Sequence, residues 1–191
     1  MMKHRIGIAA MLVLAGCQAS PTPSLFTLAA RPGAVVASRP MSVELRRVGL
    51  AGYLDRPEIV RGTVQYRLTV NDQDRWGEPL GRMMDRVLTE DLVERLPNAS
   101  VFAESGAIST RPDTVVEVDI QRCDADPDGT LVLLAQVAIR PDGAVARAQT
   151  MRLVVPIAGA AAAVPVTAHV AAISEAMAQL ADRMAVILAG G

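Results

Sequence analysis

The N-terminal seventeen residues constrain this 191-residue chain more than any other feature. Lys3, His4 and Arg5 form a short basic region, and an uninterrupted apolar run follows from residue 6 to residue 15. Ten apolar residues are too few to cross a bilayer, which takes about 20, and a short run after a basic start is typical of a secretory signal peptide. The chain is therefore predicted to be exported, with its folded part encoded after residue 16.

The apolar run ends in Leu14-Ala15-Gly16-Cys17. Two small residues let the backbone enter a peptidase cleft in extended form, and the thiol of Cys17 is a nucleophile that lipid can alkylate. The tetrapeptide resembles the lipobox of bacterial lipoproteins, which predicts residues 1–16 as the signal peptide and Cys17 as the lipid attachment site. The alternative, an ordinary signal peptide with a chance cysteine, is disfavoured because the chain has only two cysteines.

Residues 17–24 are predicted to be a lipidated N-terminus and tether, because a polar stretch rich in proline and serine cannot bury a core. Resemblance to bacterial lipoproteins implies a diacylglyceryl group and an N-acyl chain such as palmitate on Cys17. Each buried CH₂ contributes about 0.8 kcal/mol, so several chains make a permanent anchor. The residue after Cys17 is Gln18, whereas aspartate at this position would signal inner-membrane retention. The same resemblance therefore implies that the protein is anchored at the periplasmic face of the outer membrane.

The composition of the remaining chain fits one domain, residues 25–191, built on an aliphatic core. Half of the residues are hydrophobic but only 3% are aromatic. After cleavage 17 basic and 20 acidic residues remain, which gives no reason to expect nucleic-acid binding. With Cys17 lipidated, Cys123 is the one free thiol, so no intrachain disulfide is expected and Cys123 is interpreted as a small buried hydrophobe.

Hydrophobic periodicity predicts strands before and between two helices. Apolar residues at spacings of three and four predict one helix that opens at Pro79 and runs to Leu96, and a second from Val170 to Ile187. Alternation predicts strands at residues 25–28, 41–50, 64–70, 100–103, 116–121, 131–139 and 146–156.

Turn chemistry separates these elements and fixes the expected fold class. Turns are predicted at residues 71–74 and 124–129, and Asp142-Gly143 is a strong hairpin signal. Strands followed by a helix, then strands followed by a helix, predict an α+β fold. We expect a single domain with an antiparallel sheet and two main helices packed on one face.

The sequence predicts no catalytic residue, cofactor or metal site, and the chain is predicted not to be an enzyme. It lacks the phosphate-binding loop, the zinc-binding pairs and the nucleophile elbow of common enzyme families. His169 is the only histidine after residue 16 and is interpreted as a structural residue. The acidic turn that contains Asp124, Asp126 and Asp128 leaves calcium open as an alternative, although Pro127 disrupts the loop and no glutamate closes it.

Two local motifs go beyond composition: Gly52-Tyr53-Leu54-Asp55-Arg56-Pro57-Glu58-Ile59-Val60-Arg61 and Arg75-Trp76-Gly77-Glu78-Pro79-Leu80. Pro57 fixes its own φ and holds Arg56 extended, so a rigid turn is expected, with Asp55 and Arg56 paired to each other or to a partner. Trp76 is either an exposed interface anchor or part of the core edge, and packing is favoured. The candidate interaction residues are Tyr53, Asp55, Arg56, Pro57 and Trp76.

Together with the lipobox and the strand at 25–28, these motifs resemble the PqiC/YmbA family of ABC-transport auxiliary lipoproteins. In that family a Y-L-D-R-P-x-I-V segment precedes a strand and R-W-x-E-P-L opens the first helix. The match covers most of residues 24–188 in order and spacing. Gly77 stands where alanine is usual, and residues 157–168 are unusually rich in alanine.

The resemblance implies a non-enzymatic outer-membrane subunit of an intermembrane lipid transport system. Such a lipoprotein would dock a periplasmic MCE-domain protein served by an inner-membrane permease, would assemble as a homo-oligomer, and would support membrane integrity. The alternative is a structural or assembly lipoprotein that binds an outer-membrane protein or peptidoglycan without lipid cargo. A tethered lipid hydrolase would need a nucleophile and base, and His169 is the only histidine it could use.

Overall fold

The computed structural model describes residues 22–107, 110–158 and 164–190, so the predicted signal peptide and Cys17 lie outside the described residues. The described ranges form nine strands and two helices. In chain order these are β1 (Ser24–Phe26), β2 (Met41–Leu45), β3 (Gly49–Leu50), β4 (Glu58–Val64), β5 (Arg67–Trp76), α1 (Leu80–Arg95), β6 (Ala99–Ala103), β7 (Thr114–Ala125), β8 (Thr130–Pro141), β9 (Arg147–Pro156) and α2 (Val166–Ala189).

All nine strands belong to one mixed sheet whose central strand is β7. On one side, β7, β8 and β9 form the predicted antiparallel meander, with Val118 opposite Val137 and Val137 opposite Gln149. On the other side, β2, β3 and β4 pair with successive parts of β7 in parallel. The α+β class is confirmed, but the sheet is not wholly antiparallel, because β1 and β6 also join it through parallel pairs.

Both helices pack against the apolar face of this sheet and against each other. The predicted stripe of α1 is buried, including Met83, Met84 and Leu88 at 0% exposure. In α2 small residues such as Ala176 and Ala181 are also fully buried, which lets its backbone approach its neighbours closely. One continuous aliphatic core therefore joins both helices to one face of the sheet.

Arg95, at the end of α1, is fully buried and fastens the segment that leads from β1 to β2. Its Nε donates to Asp182 Oδ1 at 2.6 Å, and its other nitrogens donate to the carbonyl oxygens of Arg31, Asp91 and Ala178. The Asp91 carboxylate accepts the Arg31 amide at 2.8 Å. Burial raises the pKa of Asp91 to about 6. This cluster ties α1, α2 and the N-terminal segment together.

The strand predicted at Val64–Val70 is interrupted, because Val64 ends β4 and Arg67 begins β5, and the turn predicted at Asn71–Asp74 is wrong. The chain reverses at Gln65 and Tyr66, whose φ angles are 48° and 66°, and residues 71–74 lie within β5. Two positive φ angles are the geometry of a tight hairpin turn, which usually carries Asn-Gly. The polar residues Asn71 and Asp72 are accommodated because both are exposed and precede the part of β5 that β1 covers, which begins at Asp74. The strand predicted at 41–50 is interrupted, giving β2 and β3.

Candidate functional site

The Tyr53 side chain anchors the first of the two motifs to the end of β7. Its hydroxyl accepts the Cys123 amide at 3.3 Å and donates to Asp124 Oδ2 at 3.3 Å. Burial, followed by the nearby Asp124 charge, raises the pKa of Tyr53 to about 12. The phenol therefore stays protonated and able to donate at any physiological pH.

Asp124 is 3% exposed and has protein partners for both oxygens. Oδ1 accepts Arg122 Nε at 2.6 Å, and Oδ2 accepts Thr63 Oγ1 at 3.3 Å as well as the tyrosine. Arg122 also contacts Asp126, so two of the three acidic residues of the predicted turn share one guanidinium. Asp128 accepts the amide and hydroxyl of Thr130. Within the described ranges, no group of three or more potential ligands lies close enough to hold a metal ion.

The backbone of residues 51–57 is held at several points. The Leu54 amide donates to the Ala51 carbonyl at 2.8 Å, the Arg56 amide to the Leu54 carbonyl at 2.9 Å, and the Trp76 amide to the Pro57 carbonyl at 2.8 Å. Leu54 is buried in the core at 2% exposure. The expected rigid turn is thus present, and it presents Asp55 and Pro57 to solvent.

Arg56 pairs with Glu58 rather than with Asp55. Its Nε lies 2.9 Å from Glu58 Oε2, and Arg75 approaches the other oxygen of Glu58 at 3.8 Å. The hydrogen bond from Arg56 is the largest cause of a lowered Glu58 pKa. Because 36% of the Arg56 side chain remains exposed, the turn displays a positioned cation beside the exposed side chain of Asp55.

Trp76 packs into the edge of the core, with 7% of its surface exposed. This burial favours the packing interpretation and leaves the indole little surface for contact with a partner. The structure therefore joins Tyr53, Asp55, Arg56 and Pro57 in one turn, while Trp76 supports that turn from below through its backbone amide.

Cys123 and His169, the one cysteine and the one histidine within the described ranges, are both closed off from solvent. Cys123 is 2% exposed, as its interpretation as a buried hydrophobe requires, and burial raises its pKa to about 12. His169 is 1% exposed, and its Nε2 lies 3.1 Å from the carbonyl oxygen of Val60, to which it donates. Burial lowers the pKa of His169 to about 4, so the ring is neutral near pH 7.

Two features of this structure were not predicted from the sequence. The Arg95 cluster had one available signal, the spacing of four between Asp91 and Arg95, which places the two charges on one helix face. The exposed hairpin tip at Tyr66 had none, because neither Gln65 nor Tyr66 is typical of a tight turn. Among the helices described here, neither is long and apolar enough to span a bilayer.

Fold and turn together define a small α+β domain of a kind already seen in solved structures. An uncharacterised protein is similar over 88% of this chain and 99% of its own, with a TM-score of 0.72 at 16% identity. A Xanthomonas campestris protein assigned to the DUF330 family is similar over 85% and 92%, with a TM-score of 0.68 at 14% identity. A PelC dodecamer from Paraburkholderia phytofirmans is similar over 78% of this chain and 93% of its own at 13% identity. Its TM-score of 0.41 is too low to support an argument about this chain.

Residues 25–185 match the family of ABC-type transport auxiliary lipoprotein components, and the chain belongs to that family. Among curated proteins, none matches the chain. The family confirms the resemblance drawn from the two motifs, both of which fall inside the matched range.

Proposed function

We propose that this protein is a non-enzymatic, outer-membrane subunit of an intermembrane lipid transport system that contains an MCE-domain protein. The observation that carries the proposal is membership of the auxiliary lipoprotein family over residues 25–185. The signal Leu14-Ala15-Gly16-Cys17 supplies the expected anchor, and Gln18 favours the outer membrane. The closed environments of His169 and Cys123 support a binding role over a hydrolytic one.

The turn around Arg56 is the surface that we propose for docking the MCE protein. Docking surfaces lose less entropy on binding when their charged groups are already held in place. Arg56 is positioned by Glu58, and the turn beneath it is pinned by Tyr53 and by the backbone of Trp76. We further propose that the protein assembles with copies of itself, as the family resemblance implies.

The test is a deletion strain complemented with plasmid-borne variants. Loss of the protein should raise sensitivity to detergent and dye uptake, and the wild type should restore the barrier. Cys17→Ala, which cannot be acylated, should fail to restore it despite normal export, with fractionation showing the wild type alone in the outer membrane.

Unchanged permeability after deletion would overturn the proposed transport role. If deletion does raise permeability, but the protein captures an outer-membrane protein or peptidoglycan and no MCE protein, the structural or assembly function would be favoured instead. Mass spectrometry of the mature chain checks the anchor directly, because acylation at Cys17 adds the mass of its fatty chains.

A further inference from the structure

The β4–β5 hairpin projects past the end of the sheet and carries a fully exposed aromatic residue at its tip. The last residue of β4 that pairs with β7 is Gly62, opposite Ala125, where β7 ends. The tip residue Tyr66 is 103% exposed. Leu68, two residues further along β5, is 39% exposed. A tyrosine ring in this position contributes nothing to the core.

Tyr66 occupies this tip at a conformational cost. Its φ is 66°, a value that a bulky side chain rarely adopts and that glycine adopts freely. Gln65 beside it also has a positive φ, of 48°. Non-glycine residues held in this region cluster at functional sites such as ligand clamps, which makes the tip a candidate contact.

The direction of β1 indicates from which end of the sheet the chain enters it. β1 runs parallel to β5, with Ser24 opposite Asp74 and Phe26 opposite Trp76. The chain therefore enters β1 from the side on which β5 begins, which is the side of Tyr66. The predicted lipid attachment site, Cys17, precedes Ser24 by seven residues, and Arg67 precedes Asp74 by the same number.

The two lengths agree. Seven residues of β5 span about 23 Å, and seven residues of tether reach at most about 25 Å. The acylated Cys17 can thus lie in the same plane as the hairpin tip, and its acyl chains place that plane at a bilayer surface. Tyrosine is enriched at this boundary because its ring is apolar and its hydroxyl remains hydrated.

We infer that the β4–β5 hairpin is a second membrane contact, in which Tyr66 inserts into the headgroup region of the bilayer that holds Cys17. This inference rests on the proposed lipidation of Cys17. The contact is aromatic and apolar in character, because Tyr66 and Leu68 expose their side chains on this hairpin. Two attachments fix the orientation of the domain and point the opposite end of the sheet away from the membrane.

The experiment places an environment-sensitive fluorophore on the acylated full-length protein in vesicles of phosphatidylethanolamine and phosphatidylcholine. Tyr66→Cys supplies the probe site, and Val145→Cys is the matched control. Val145 is 89% exposed in the loop between β8 and β9, at the opposite end of the sheet. Cys123 is 2% exposed and so is shielded from labelling.

Binding to vesicles should blue-shift the probe at position 66, and headgroup nitroxide lipids should quench it. The probe at position 145 should change in neither respect, and the response should depend little on salt. If the protein floats with vesicles but both probes behave alike, the hairpin contact is overturned while the anchor stands. A response at position 66 only on addition of an MCE protein would overturn the lipid contact in favour of a protein one. A chain that carries no acyl mass and stays unbound would overturn both proposals.

Discussion

Gly33 lies directly against the guanidinium group of Arg95. A Cβ added at Gly33 would stand 2.2 Å from Arg95 Cζ and 2.5 Å from Nε. A long side chain usually yields to such a contact, but Arg95 is fully buried and bonded to Asp182 and to three carbonyl oxygens. Any shift of the guanidinium therefore breaks hydrogen bonds that water cannot replace.

Gly33→Ala is accordingly expected to destabilise the domain by about 1–3 kcal/mol. The measurement is urea unfolding of the mature domain. Gly52→Ala is the matched control, because nothing lies within 4 Å of an added Cβ there. Equal midpoints for the two variants would show that the contact between Gly33 and Arg95 is not tight.

The positive φ of Tyr66 at the hairpin tip is expected to lower the stability of the domain in solution. Tyr66→Gly removes the strain of a positive φ and is expected to stabilise the domain in solution by about 1 kcal/mol. Tyr66→Ala deletes the ring but keeps a Cβ, so it should not give this gain. Thermal unfolding of the three proteins checks the prediction, and a Tyr66→Gly variant no more stable than Tyr66→Ala would contradict it.

The buried histidine makes stability depend on pH in a known direction. Burial lowers the pKa of His169 to about 4, whereas a histidine in the unfolded chain titrates near about 6.5. The unfolded chain binds this proton more readily, so the stability contributed by the neutral ring is complete above about pH 6.5 and is lost as the pH falls toward about 4.

His169→Gln keeps a donor for the Val60 carbonyl and removes the titration. The difference in unfolding free energy between wild type and variant should shift against the wild type by about 3 kcal/mol between pH 7 and pH 4. Asp91, whose raised pKa acts in the opposite direction, is present in both proteins and cancels from the difference. A difference that does not change with pH would mean that His169 is not held neutral.

The elements that were correctly predicted from the sequence are those whose pattern of buried and exposed residues lies within one continuous stretch of chain. Both helices follow from apolar spacing, and the β8–β9 hairpin follows from Asp142 and Gly143, whose φ is 70°. The parallel pairs of β1, β2, β3, β4 and β6 have no local signal, because they join residues distant in the chain.

The β4–β5 hairpin was missed for a different reason. Alternating residues from 64 to 70 satisfy a strand pattern on both arms of the turn, so that pattern continues through a reversal at Gln65 and Tyr66. At the candidate site, the motif around Arg56 was visible in the sequence. Its support by Asp124 was not, since Tyr53 and Asp124 are 71 positions apart in the chain and are brought together only by folding.

Arg56 provides the sharpest test of the proposed docking surface. Arg56→Glu reverses the displayed charge and leaves the core untouched, so unfolding should be nearly unchanged while binding of the MCE protein weakens. Arg111→Glu is the matched control, because Arg111 is an 82% exposed arginine in a surface pair with Asp142, away from the turn. Equal binding by the two variants would remove the turn from the interface.

The proposed partnership with an MCE-domain protein is tested by affinity purification of the acylated, full-length protein from its own outer membrane. Mass spectrometry then identifies the proteins that accompany it. The proposed function predicts that an MCE-domain protein is recovered in stoichiometric amount with the wild type and is depleted with Arg56→Glu. Recovery of the acylated protein without any MCE-domain protein would contradict it.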